Sequence, residues 1–123
     1  MKVAYIFESA DAATYKLQEM ILPQIEENRH GADVEMMFFF DDNCHVLRDG
    51  YELGSRLSNV ARSNDIVLMM CDRCAEKRDL AERNEDATDS YQPINTNENV
   101  SVGCFPDVYE MAEERSVDQV VTI

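Results

Sequence analysis

The chain has 123 residues, with 25 acidic against 11 basic side chains and a net charge of −14; a surface of that sign repels nucleic-acid phosphates and anionic membranes. The length supports one domain, residues 1–123, with a core of its own. No stretch approaches the ~20 apolar residues of a membrane span, and Glu8 and Asp11 end the first apolar run too soon for a signal peptide.

A cytoplasmic protein is therefore expected. In that compartment the four cysteines stay mostly reduced, so they read as reactive, metal-binding or buried thiols rather than as bridges.

Taken in order, Lys2 to Phe7 reads as a buried strand, and Glu8 to Asp11 as its exit loop, with Ser9 or Asp11 placed to cap the next helix. Leu17, Met20, Ile21 and Ile25 recur at spacings of three and four and predict a helix buried on that face. Pro23, inside this pattern, removes a backbone donor and predicts a kink or a shortened helix. Asn28 to Gly31 ends the helix. Val34 to Phe40 is a second apolar run, and its Met and Phe residues read as core. It leaves through Asp41, Asp42, Asn43, Cys44 and His45. Leu53, Leu57, Val60 and Ala61 mark the next helix, and Ser63 to Asp65 the turn after it.

Ile66 to Met70 is a continuous apolar run ending in Cys71, the pattern of a strand buried on both faces. Ala75, Leu80 and Ala81 are compatible with a helix starting near Asp72. Residues 84–99 are polar and acidic with no apolar period, which predicts a long loop. Val100 to Cys104 makes a short strand, Pro106 suits the first turn of a helix, and Val108, Met111 and Ala112 supply its buried stripe. Val117 to Ile123 is a last strand. Alternating strands and helices of this kind predict a three-layer α/β/α sandwich around a mainly parallel five-stranded sheet.

In such a sheet the carboxyl ends of the strands open on one edge, where ligands and chemistry collect. Cys44, Cys71 and Cys104 each follow an apolar run at that edge, and Cys74 lies one helical turn past Cys71. Thiols distant in the chain thus converge by topology. Cys71 is expected next to a helix N-terminus, where free N–H groups and the macrodipole favour a thiolate. Arg73 adds positive charge and Asp72 opposes it. A thiolate there can attack a sulfur donor and carry a persulfide, which Cys74 would resolve or accept.

Three plainer or different readings stand beside this one. Cys71 and Cys74 also suit small apolar core positions. Cys44, Cys71, Cys74 and Cys104, with His45, supply ligand types for zinc or an iron–sulfur cluster, although only one close CxxC pair is present. A thioredoxin-type redox pair also uses CxxC before a helix, but here the motif follows the third strand and no later cis-proline candidate stands out. An oligomeric scaffold without chemistry is the remaining class. Tyr91 and Tyr109 are candidates for a subunit contact, His30 reads as a helix-end residue, and Asp41, Asp42 and Glu8 as strand-end carboxylates. With four glycines and no GxGxxG, Walker or GxSxG pattern, dinucleotide, nucleoside triphosphate and serine-hydrolase chemistry is disfavoured.

The N-terminal strand Val3 to Phe7, the run Ile66 to Met70 closed by Cys71, and the segment Val100 to Ile123 with its Val102-Gly103-Cys104-Phe105-Pro106-Asp107-Val108 lead together resemble the DsrE/DsrF-like family of small sulfur-relay proteins, which includes the TusD-type subunits. The resemblance implies a flavodoxin-like sandwich and a sulfurtransferase or sulfur carrier with a persulfide on Cys71. It also implies no organic cofactor, sulfur-donor and sulfur-acceptor proteins as partners, and a homo-oligomer, often a trimer or hexamer. Cys44, Cys74, Cys104 and the acidic stretch 84–99 stand outside the family pattern.

Overall fold

A computed structural model describes residues 1–86 and 90–123. Strand β1 (Lys2–Phe7) leads into a π-helical segment (Ala12–Ile21) that continues as α1 (Leu22–Glu26). Then come β2 (Asp33–Phe39), a 3-10 segment (Asp41–Leu47), α2 (Glu52–Asn64), β3 (Val67–Cys71) and α3 (Asp72–Glu76). The chain closes with β4 (Ala81–Arg83), β5 (Tyr91–Pro93), β6 (Val100–Gly103), α4 (Phe105–Glu114) and β7 (Gln119–Thr122). The main sheet has the order β6-β3-β2-β1-β7, and every neighbouring pair in it is parallel. The predicted α/β/α sandwich with its five-stranded parallel sheet is therefore the observed architecture.

Side chains of alternating orientation divide the core between the two faces of the sheet. Phe7, Met37, Phe39, Leu68 and Met70 pack with Leu17, Leu22, Leu57 and Ala75, from the helices that follow β1, β2 and β3. Ala4, Met36, Phe38, Met69 and Cys71 pack with Val108 of α4 on the other face, a much smaller cluster. Residues 36–39 are fully buried, as their composition predicts.

Local expectations are corrected in two regions, after β1 and after β3. The helix after β1 is wound more widely than an α-helix, with the Leu22 N–H bonded to the Leu17 carbonyl five residues back. The wider turn turns Met20 out to 42% exposure while Leu17 and Ile21 stay buried. Pro23, which has no N–H to donate, falls where the winding changes from π to α, and the helix runs on only to Glu26. Neither Ser9 nor Asp11 caps the segment with its side chain; Asp11 occupies the left-handed region at φ 63°.

Beyond Cys71 the predicted helix is cut short. Asp79 is left-handed at φ 58° and the Leu80 N–H bonds back to the Ala75 carbonyl at 2.9 Å, a helix stop. Leu80 and Ala81 are buried as expected, but Ala81 opens a strand. The stretch expected to be a bare loop holds part of a two-stranded antiparallel hairpin, with Glu82 opposite Gln92 and Arg83 opposite Tyr91. Both strands are largely polar, so no alternation announces them. Residues 87–89 of that stretch lie outside the described residues.

Candidate functional site

The connections from β1, β2 and β3 run to one face and the connection from β6 to the other, because Ala75 of α3 packs in the larger cluster and Val108 of α4 in the smaller. Strands β3 and β6 are neighbours, and Cys71 is paired in register with Gly103. Adjacent parallel strands whose chains leave in opposite directions open a crevice at their carboxyl ends. Cys71 closes β3 at that switch point, and Cys104 follows Gly103 at the end of the neighbouring strand.

Gly103 is required there. A Cβ at this position would lie 2.7 Å from Met69 Sδ and 2.9 Å from both Cβ and Oδ2 of Asp107. The absence of a side chain lets the start of α4 sit down beside β3. The Cys104 N–H donates to Asp107 Oδ2 at 2.8 Å and fixes that turn.

Cys71 is the residue that precedes α3, and Cys74 lies in its first turn. Cys74 packs against the smaller cluster that holds Cys71, and the Arg73 N–H between them donates to Asp72 Oδ1 at 2.7 Å. Cys71 is only 7% exposed, whereas Cys74 is half-buried and touches the core of both faces. The easily ionised Cys71 expected from its position is corrected by this burial. Desolvation, aided by the neighbouring Cys74 thiol, outweighs the favourable backbone at the start of α3 and pushes the Cys71 thiol up to about 11. A five-residue helix such as α3 also has a small dipole to offer.

Arg73 shares its charge with its neighbour: its guanidinium is 3.2 Å from Asp72 Oδ2, a carboxylate 5% exposed. The same guanidinium lies 5.7 Å from the ring centre of Tyr91, and Arg83 lies 5.3 Å from it. The hairpin is thus tied to the helix that carries the thiols through the Tyr91 ring.

Cys44 comes to the same rim but to a different environment. It is fully buried and donates its S–H to the Phe39 carbonyl at 3.3 Å. Burial, with the Cys74 and Cys71 thiols close by, pushes it up to about 12. Cys74 in turn donates to Asp41 Oδ1 at 3.8 Å. Arg78 straps the 3-10 segment to α3 through Asp42 Oδ1 at 2.9 Å and the Cys74 carbonyl at 3.0 Å. Cys44, Cys71 and Cys74 are therefore brought together, and Cys104 stands beside them across the strand pair.

Sequence reasoning overlooked two residues that hold this arrangement. Asn43 is buried and bonded three ways, accepting from the Ala13 N–H and donating to the Phe7 and Ser9 carbonyls. Arg78 is placed one turn after Cys74, a spacing that was available in the chain as a clue. The two histidines have other partners. His30 bridges Tyr5 and Gln24 by the amino end of β1, and His45 is 3.8 Å from Asp42. Among the described residues no three or more His, Cys, Asp and Glu side chains are grouped to hold a metal ion. No helix is long and apolar enough to cross a membrane among the described residues.

No family model matches the chain, and no curated protein matches it either. Two solved structures resemble it over nearly the whole length. The ychN protein from E. coli superimposes with a TM-score of 0.65 at 13% identity, covering 99% of this chain and 97% of that one. A protein of unknown function, MTH1491 from Methanobacterium thermoautotrophicum, gives 0.64 at 10% identity, covering 99% and 98%. At such identities the likeness establishes the fold: a flavodoxin-like, DsrE-like α/β sandwich.

Proposed function

We propose that this protein is a sulfur carrier that takes sulfur onto Cys71 and passes it to a partner protein, with Cys74 assisting. The observation that carries the reading is the Cys71–Cys74 pair, one thiol closing β3 and the other in the first turn of α3, gathered at one cluster at the carboxyl edge of the sheet. The transfer needs no oxidant. The Cys71 sulfur attacks the terminal sulfur of a donor persulfide, a new S–S bond forms, and the donor's own S–S bond breaks. The donor leaves as a thiolate and takes up the proton that Cys71 gives away. The backbone of Cys74 at the start of α3 favours charge as it develops on the Cys71 sulfur, against the burial that opposes it. A thiol that ionises only at high pH is also intrinsically the stronger nucleophile once deprotonated.

A cytoplasmic location suits this reading, since the pair must stay reduced to accept sulfur. Assembly into a trimer or hexamer belongs to it as well, supported by Phe105 and Tyr109 of α4 and Val120 of β7, which are 49%, 68% and 48% exposed. Zinc or an iron–sulfur cluster on the four cysteines is the weaker alternative, because Cys44 spends its S–H on a buried carbonyl and the described side chains form no ligand group. An organic cofactor has no part in the transfer as written.

Intact-mass measurement after exposure of the reduced protein to glutathione persulfide tests the proposal. The expected result is one added sulfur in the wild type and none on Cys71→Ser. A wild-type mass unchanged by the donor, or a gain of sulfur undiminished in Cys71→Ser, overturns it.

A further inference from the structure

Two thiols within one turn of chain, at the end of β3 and the start of α3 and gathered at one cluster, allow a second reaction besides sulfur transfer, and their unequal exposure dictates its order. Cys74 is half-buried and reaches solvent, while Cys71 sits behind it at 7% exposure. The other two thiols make poor competitors for an external reagent to join to this pair. Cys44 is fully enclosed with its S–H engaged, and Cys104 stands on the neighbouring strand's exit, its backbone fixed by the bond from its N–H to Asp107, whereas Cys71 and Cys74 share one turn of chain.

We infer that Cys71 and Cys74 form a redox-active dithiol that exchanges with low-molecular-weight disulfides, Cys74 being the thiol that meets the reagent and Cys71 the one that closes the ring. In the first step the Cys74 thiolate attacks one sulfur of the disulfide. A Cys74–reagent S–S bond forms, the reagent's own S–S bond breaks, and half of the reagent leaves as a thiolate. In the second step Cys71 yields its proton to the released thiolate and attacks Cys74 Sγ. The Cys71–Cys74 bond forms, and the second half of the reagent leaves as a thiolate, which takes a proton from water. Overall the two thiols lose two electrons and two protons, and one disulfide becomes two thiols.

The placement of both thiols in one turn of chain makes the second step intramolecular, so the mixed disulfide is short-lived wherever Cys71 is present. The Cys71 burial that slows attack from outside does not hinder attack on an adjacent side chain. The reaction does not depend on sulfur-relay activity, although the closed disulfide would leave neither thiol of the pair able to accept sulfur. The oxidation can therefore succeed or fail whatever the outcome of the persulfide experiment.

The chain itself supplies the assay. Arg73 lies between the two cysteines, so trypsin places Cys71 in the peptide 63–73 and Cys74 in the peptide 74–77, with Cys44 and Cys104 in two others. The reduced full-length protein is incubated with oxidised glutathione, quenched in acid, blocked with a thiol reagent and digested without reductant. The expected product is peptide 63–73 joined to 74–77, in a protein that has lost two hydrogens. Cys71→Ser should stop at one glutathione on Cys74, and Cys74→Ser should react at Cys71 at least about tenfold more slowly than the wild type reacts. Linkage of either peptide to that of Cys104 or Cys44 as the main product overturns the inference, as does a wild type that accumulates the Cys74 adduct without closing. Equal rates in the wild type and Cys74→Ser overturn the order of attack. The wild-type peptide map identifies the bonded pair even if a variant fails to fold.

Discussion

The two faces of the sheet contrast sharply. One is covered by the π-helical segment, α1, α2 and α3 and holds most of the buried side chains, including the stacked rings of Phe7 and Phe39 at 5.0 Å. The other is covered by α4 and holds a small cluster bordered by half-buried or exposed groups such as Phe40 and Phe105, whose rings lie 5.4 Å apart. Cys44 belongs to the first and Cys71 to the second, with Cys74 against both. The comparison teaches that the same residue type, arriving at the same rim, becomes part of the frame or part of a reactive pair according to which layer receives it. Apolar burial holds the frame together, and the thin layer leaves an accessible edge.

Paired substitutions test this division most strongly. Phe39→Ala, which empties a fully buried site in the thick layer, should cost about 3–5 kcal/mol in urea unfolding. Val108→Ala in the thin layer should cost roughly 1–3 kcal/mol. Comparable losses for both would break the contrast.

A smaller effect is expected from pH. The folded chain holds the Cys44 proton up to about 12, whereas the unfolded chain releases it near the ordinary thiol value. Between those points the native state binds more protons than the unfolded one, so stability falls as pH rises and is independent of Cys44 below that window. Burial raises Tyr5 in the same direction, so the readout is the difference in slope. Cys44→Ala should flatten the decline measured by denaturant midpoints across this range, and an unchanged slope would count against a proton held by burial.

The smallest effect is expected at Tyr109, 68% exposed on α4. Tyr109→Ala should alter the unfolding free energy of dilute protein by no more than ~0.5 kcal/mol. If copies of the chain meet on this face, the change should instead grow with protein concentration, which analytical ultracentrifugation of the variant would register as a lost assembly.

Much of the architecture could be read directly. The runs at Val3, Val34, Ile66 and Val100 became the strands of the parallel sheet, and Leu53, Leu57, Val60 and Ala61 became the buried stripe of α2, because apolar period is a local property of the chain. The hairpin at Ala81–Arg83 and Tyr91–Pro93 could not, since its strands are largely polar and their pairing joins residues as far apart as Ala81 and Pro93. Met20 was misplaced because a helix wound five residues back obeys a different period. Of the thiols, the chain order announced which ones follow strands and that they share an edge.

What the chain determined alone was composition and sequence: the acidic surface, the apolar runs, and a CxxC pair closing the third strand. Tertiary structure decided which thiol is enclosed, which is reachable and which resists ionisation. Those properties depend on distance from water and on neighbours contributed by other segments, such as the Phe39 carbonyl at Cys44 and Asp41 at Cys74, and no local pattern encodes either.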